Sequence, residues 1–150
     1  MTNFREFARL AGHRMNENRT AWIDRAAWSL SRANRFSTLL VTRGADGMTL
    51  FERENGNLRR QDISSFAHSV YDVTGAGDTA LGVFALAIAA GAERSPAAQI
   101  ANVAAGIVVG KRGTACVMPE DILRKIHREN ESQTSLQNPS TTPSSRAIGV

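Results

Sequence analysis

Apolar residues change their spacing twice along this chain. Up to Leu30 they recur every three or four positions, from Thr38 they gather in short runs, and from Ala76 they return to helical spacing. Thr2 and Asn3 are suited to cap a first helix, in which Phe4, Phe7, Leu10 and Ala11 mark one face and which is expected to reach about Met15. A second helix is expected from Thr20, with Trp22, Ile23, Ala26, Ala27 and Leu30 on its apolar face and the polar stretch Ser31 to Ser37 ending it. Thr38 to Thr42 (TLLVT) is a short, partly β-branched run, which suits a strand buried on both faces. The RGADG turn returns the chain into MTLFER, and Asn55-Gly56 predicts a hairpin into Leu58 to Ser64.

Beyond this strand region, a small-residue helix is predicted over about Ala76 to Ala90, closed by Gly91. Ser95 and Pro96 start another, apolar nearly all round from Ala97 to Val108, so both helices are expected to be packed on most sides. KRGTACVMP reads as a loop or short strand, and Pro119 to Arg128 as a last amphipathic helix. From Asn130 the composition shifts to Ser, Thr, Pro, Asn and Gln, too polar to bury a core. The expected division is one domain over residues 1–129 and a disordered polar tail over 130–150. Helix pair, strand, hairpin and helices together indicate an α/β layered architecture.

With 150 residues, 42% hydrophobic and 21% charged, the chain fits one globular domain. Lysine and arginine exceed aspartate and glutamate by 18 to 14, but Arg25, Arg43, Arg59, Arg60, Lys111 and Arg112 are scattered, with few aromatics between them. That pattern reads as a solvated basic surface rather than a nucleic-acid interface. The single Cys116 excludes an intramolecular disulfide and reads as a small buried residue. His13, His68 and His127 share no metal-ligand spacing. The start shows no signal-peptide pattern, and the longest apolar run, Ala80 to Ala92, is too short to span a bilayer, so it reads as a buried helix of a cytoplasmic protein.

The densest chemistry lies in YDVTGAGDTALG, Tyr71 to Gly82. Gly75, Ala76 and Gly77 let backbone approach a ligand closely, and consecutive N–H groups at a helix N-terminus form an anion site. Asp78 has two readings. It is a first-turn acid that complements the helix dipole, or a base that takes the proton of a substrate hydroxyl while the adjoining N–H groups hold a phosphoryl group in transfer. Asn102, in the middle of an apolar helix, needs hydrogen-bond partners.

DVTGAGDT closely resembles the second signature of the PfkB, or ribokinase-like, carbohydrate kinases. NFRE, Asn3 to Glu6, is similar to their N-x-x-E motif, VTRGADG, Val41 to Gly47, to their T-x-G-x-x-G strand and turn, and ANVAAGIVVGKRGT to the segment lining the adenine pocket. The resemblance runs in family order from Asn3 to about Ile122. Its texture is closest to the subfamily that phosphorylates heptose 7-phosphate on the route to ADP-heptose and lipopolysaccharide. It implies a three-layer α/β/α sandwich of which this chain is the C-terminal half, lacking the first glycine-rich signature and most sugar contacts.

The same resemblance implies an ATP-dependent phosphotransferase with Asp78 as base and Gly75, Ala76 and Gly77 as the anion hole. Asn3 and Glu6 would arrange Mg2+ and phosphate, Thr42, Gly44, Gly47 and Asn102 would hold ATP, and Asp72 with the Thr74 carbonyl would hold a monovalent cation such as K+. It leaves as rivals a nucleotide-binding module without catalysis and an interaction remnant. The partners implied are a sugar phosphate and either a complementing N-terminal half or a second copy, with neither nucleic acid nor membrane. The residues alone also allow plainer roles. Asn3 and Glu6 form a helix cap, Asp72 is an Asx turn residue, Thr42 and Gly44 end a strand, and Lys111 and Arg112 are either solvated or steer phosphates.

Overall fold

Leu40 and Val41 are neighbours in sequence, point to opposite sides of a strand, and are both almost fully buried. Two-sided burial of this kind requires a layer on each face of the sheet, and the computed structural model, which describes residues 1–12, 19–66, 74–111 and 116–137, supplies both. The sheet has four strands in the order β1 (Thr2–Asn3), β2 (Thr38–Thr42), β3 (Met48–Glu54) and β4 (Asn57–Ile63). β1 runs parallel to β2, and the other neighbours are antiparallel. Cross-strand partners share a face. Leu39 opposite Phe51 and Val41 opposite Thr49 look one way, while Leu40 opposite Leu50 and Thr42 opposite Met48 look the other.

On the first face Val41 and Phe51 pack with Phe7 and Ala8 of α1 (Phe4–Leu10) and with Trp22, Ile23, Ala26 and Ala27 of α2 (Arg19–Asn34). Trp22 stacks on Phe7 with ring centroids 5.7 Å apart. On the second face Leu40, Met48, Leu50 and Ile63 meet Ala80 of α3 (Ala76–Ala89) and Ala98 and Ala101 of α4 (Arg94–Val109). Alanines at these contacts let the helices approach the sheet closely. The result is the expected α/β/α sandwich, with α5 (Pro119–Gln137) packed on α4.

The hairpin follows its turn chemistry, since Asn55 and Gly56 both take positive φ, 50° and 81°, the pairing a two-residue type I′ turn demands. Other boundaries differ from expectation. α1 ends at Leu10 rather than Met15, because Gly12 adopts φ 68° and turns the chain away, and residues 13–18 lie outside the described set. α2 continues through the polar stretch to Asn34, where Asn34 Nδ2 donates to the Leu30 carbonyl and Arg35 at φ 53° stops it. α5 runs to Gln137, past the expected boundary at Asn130. Polar residues without glycine or proline sustain a helix, here with a Lys125–Glu129 pair at 3.0 Å, and residues 138–150 lie outside the described set.

Two burial expectations are corrected. Cys116 is exposed rather than buried. α3 is covered only along the side that carries Ala80, leaving Leu81, Leu86 and Ile88 exposed, because the strands beneath it reach one side of the helix and α4 flanks it. Among the described residues no helix is long and apolar enough to cross a membrane.

Burial separates two apolar truncations. Phe51→Ala, which empties a site only 1% exposed, should cost about 3–5 kcal/mol, whereas Leu86→Ala, at 71% exposure, should stay within about 0.5 kcal/mol in urea unfolding. Equal losses in the two variants would contradict this layering.

Candidate active site

The parallel strands β1 and β2 end side by side at Asn3 and Thr42, and the chain leaving β2 builds one wall of a cleft at the sheet's carboxyl edge. A single 3₁₀ turn, Gly44–Asp46, forms that wall. The Arg43 N–H donates to the Gly47 carbonyl at 2.7 Å, and the Gly47 N–H donates to the Gly44 carbonyl at 3.1 Å. Gly47 is required by space as well as by its φ of 87°, since a Cβ there would stand 2.1 Å from the Ile63 carbonyl oxygen. The turn therefore lies flush against the end of β4.

The opposite wall is the start of α3. Gly75 at φ 78° caps the helix, Thr79 N–H donates to the Gly75 carbonyl at 2.9 Å, and Ala76 and Gly77 face the cleft. The cleft holds about 1210 Å³ and brings together seven of the residues singled out from sequence: Asn3, Thr42, Gly44, Gly47, Ala76, Gly77 and Asn102. Asp78 is exposed in the first turn of α3, next to the cleft-lining Gly77. Thr74 is exposed beside Gly75, and Asp72 lies outside the described residues.

Asn102 finds the partner its burial demands, donating from Nδ2 to the Ser64 carbonyl at 2.6 Å, and so ties α4 to the segment that follows β4. Asn3 and Glu6 take the capping-box form. The Glu6 N–H donates to Asn3 Oδ1 at 2.9 Å, and the Asn3 N–H donates to Glu6 Oε2 at 3.2 Å. The Asn3 amide and the Thr2 hydroxyl hold the Glu6 carboxyl below its ordinary range. Lys111 is committed to α5, donating to Asp121 and to the Cys116 carbonyl, both at 3.3 Å, and Arg112 lies outside the described residues.

Sequence reasoning missed an ionic group in the same cleft: Arg43, Arg60 and Asp62. Asp62 Oδ1 accepts from the Thr49 hydroxyl at 2.6 Å and lies 3.5 Å from Arg43 Nη2, and Oδ2 lies 2.9 Å from Arg60 Nη2. Arg60 reaches on to Asp24 of α2 at 3.1 Å. Burial pushes the Asp62 carboxyl up, but the Thr49 hydroxyl and the two guanidinium groups outweigh it and hold the carboxyl below its ordinary range. Its contribution is therefore present above the unfolded carboxylate range and is lost as pH falls through the folded value. The signal was the i, i+2 spacing of Arg60 and Asp62 on one face of β4, with Thr49 opposite Asp62 in the register. Read as a linear sequence, these basic residues looked scattered.

The pfkB family carbohydrate kinase profile matches residues 1–121, and the chain belongs to that family. Among curated proteins it is 42% identical over 126 residues to the bifunctional protein HldE of Geotalea uraniireducens, covering 83% of this chain and 25% of that protein. It is 41% identical over 131 residues to the bifunctional protein HldE of Stutzerimonas stutzeri, covering 87% and 26%. The chain thus spans about a quarter of the length of the curated relatives it matches.

Solved structures agree on the fold. A ribokinase from Thermotoga maritima superposes with a TM-score of 0.72 at 22% identity, over 84% of this chain and 41% of that one. Escherichia coli phosphofructokinase-2 in complex with potassium gives 0.73 at 17% identity, over 86% and 40%. Arabidopsis thaliana ribokinase, complexed with ribose and ATP, gives 0.68 at 27% identity, over 83% and 39%.

The two turn glycines separate strain from collision. Gly44→Ala meets no atom within 4 Å and should cost only the left-handed strain, about 1–2 kcal/mol. Gly47→Ala, which must also displace the β4 backbone, should lower the urea midpoint clearly further. Equal midpoints would mean that the turn does not rest on β4.

Proposed function

We propose that this chain carries the nucleotide-holding and proton-accepting part of an ATP-dependent sugar kinase, with heptose 7-phosphate as the sugar. The observation that carries this reading is the single cleft in which the Gly44–Gly47 turn faces the glycine loop opening α3. In the proposed reaction the sugar hydroxyl oxygen bonds to the γ-phosphorus of ATP, the bond to the ADP oxygen breaks, and the hydroxyl proton passes to the Asp78 carboxylate. Backbone N–H groups at Gly75, Ala76 and Gly77 stabilise the charge spread over the transferring group. Thr42, Gly44, Gly47 and Asn102 hold the nucleotide.

The choice of sugar rests on the motif resemblance to the subfamily that phosphorylates heptose 7-phosphate, and ATP is supported by the Arabidopsis ribokinase complex. Mg2+ would neutralise phosphate charge when bound. Glu6, an exposed carboxylate beside the cleft-lining Asn3, fits such a role through Oε1, since the capping box engages Oε2. For K+, known in complex with the E. coli phosphofructokinase-2, Asp72 and Thr74 are the proposed ligands.

The reading includes a further ribokinase-like segment, in the same or another chain, that completes the sugar pocket in the cytoplasm. Support comes from the exposed Leu81, Leu86 and Ile88 on α3, and from β1, a two-residue strand at the sheet edge. Such surfaces call for cover.

Asp78→Asn tests the chemistry, because asparagine keeps the size and first-turn position but not the basicity. With residues 1–121 grafted into a complete family member that remains active, the substitution should lower kcat for heptose 7-phosphate about 10²–10⁴-fold and leave the melting temperature nearly unchanged. Parental turnover by the asparagine variant would reduce Asp78 to a helix-dipole partner.

A further inference from the structure

We propose that Asp62 is the positioning residue of the Gly44–Gly47 turn, acting through Arg43. The relevance of that turn to nucleotide rests on the reading above, whereas the clamp itself rests on geometry alone. Arg43 Nη2 donates to the carbonyl of Asp46, at 3.0 Å, within its own turn, and the same nitrogen lies 3.5 Å from Asp62 on β4. One guanidinium thus closes the turn on itself and fastens it to the sheet. Its Nε is buried without a partner, so the side chain is held by its terminal nitrogen.

Asp62 is in turn fixed from two other directions. The buried Thr49 hydroxyl donates to Oδ1, and Arg60 binds Oδ2 while also binding Asp24 of α2. The ladder Asp24, Arg60, Asp62, Arg43 crosses from the helix layer over β4 to the cleft wall. Three of its members line the cleft. The exposed ion pairs contribute little individually, but a carboxylate already held by Thr49 and Arg60 offers Arg43 one location. Such a restraint matters most at the Gly44 end of the turn, which sits at positive φ with no side chain and open space around it.

Amide hydrogen exchange by NMR on the full chain reads the clamp directly. Asp62→Asn should speed exchange at the Arg43 and Gly47 amides about tenfold or more, while the Leu50 amide in the sheet core changes little. Asp62→Glu, which keeps the charge, should restore most of the protection. Arg43→Met removes the nitrogen that touches both the Asp46 carbonyl and Asp62, so it should loosen the same two amides and serves if Asp62→Asn does not fold. Unchanged exchange at the turn, acceleration shared equally with Leu50, or no rescue by glutamate would each overturn the proposal.

Mg-ATP titration separates the two readings. If the parent chain binds Mg-ATP, Asp62→Asn should weaken it about tenfold, in proportion to the lost ordering, and unchanged affinity over a loosened turn would overturn the positioning role. If the parent does not bind Mg-ATP, the nucleotide reading fails, and the exchange rates alone decide the clamp.

Discussion

The constraint on which this structure depends is the burial of β2 and β3 on both faces. Leu40 and Val41 cannot both leave water unless helices lie above and below them, and Leu50 and Phe51 on β3 impose the same condition one strand away. The helix pair ahead of β2 covers one face, and the pair after β4 covers the other. Chain order and layer order are thereby linked. Because β2 is covered from both sides, its carboxyl end is the exposed place where the backbone can turn freely, and the cleft forms there.

Each cleft wall is set by a different physical device. The Gly44–Gly47 turn is pressed onto β4 by a glycine that has no room for a Cβ and is tied there by Arg43 and Asp62. The α3 loop is set by the left-handed Gly75 and by packing of Ala80 into the sheet cluster. Asn102 joins the layers, because its amide bonds the segment after β4 from the middle of α4. The glycines and alanines of the two turns and the side chains of Arg43, Arg60 and Asp62 share the cleft lining.

Much of this was legible in the sequence, for local reasons. TLLVT read as a strand from its β-branched apolar run, Asn55-Gly56 read as a hairpin from its need for two positive φ angles, and the motif order pointed to the sandwich and to most cleft residues. What escaped was non-local. β1 is two residues long and exists through pairing with Val41 and Thr42. The Arg43, Asp62 and Arg60 ladder appears once β2, β3 and β4 are in register. α3 was misjudged as buried because apolar periodicity reports that cover is wanted, and the four strands here cover one side of it.

The central claim is that the two glycine segments form one nucleotide site. Chemical-shift mapping of the ¹⁵N-labelled chain during a Mg-ATP titration tests it most directly. The account predicts saturable shifts concentrated at Thr42 to Gly47, at Ala76 and Gly77, and at the Asn102 side-chain amide. Saturable shifts confined to another surface, or an unchanged spectrum at millimolar nucleotide, would contradict it.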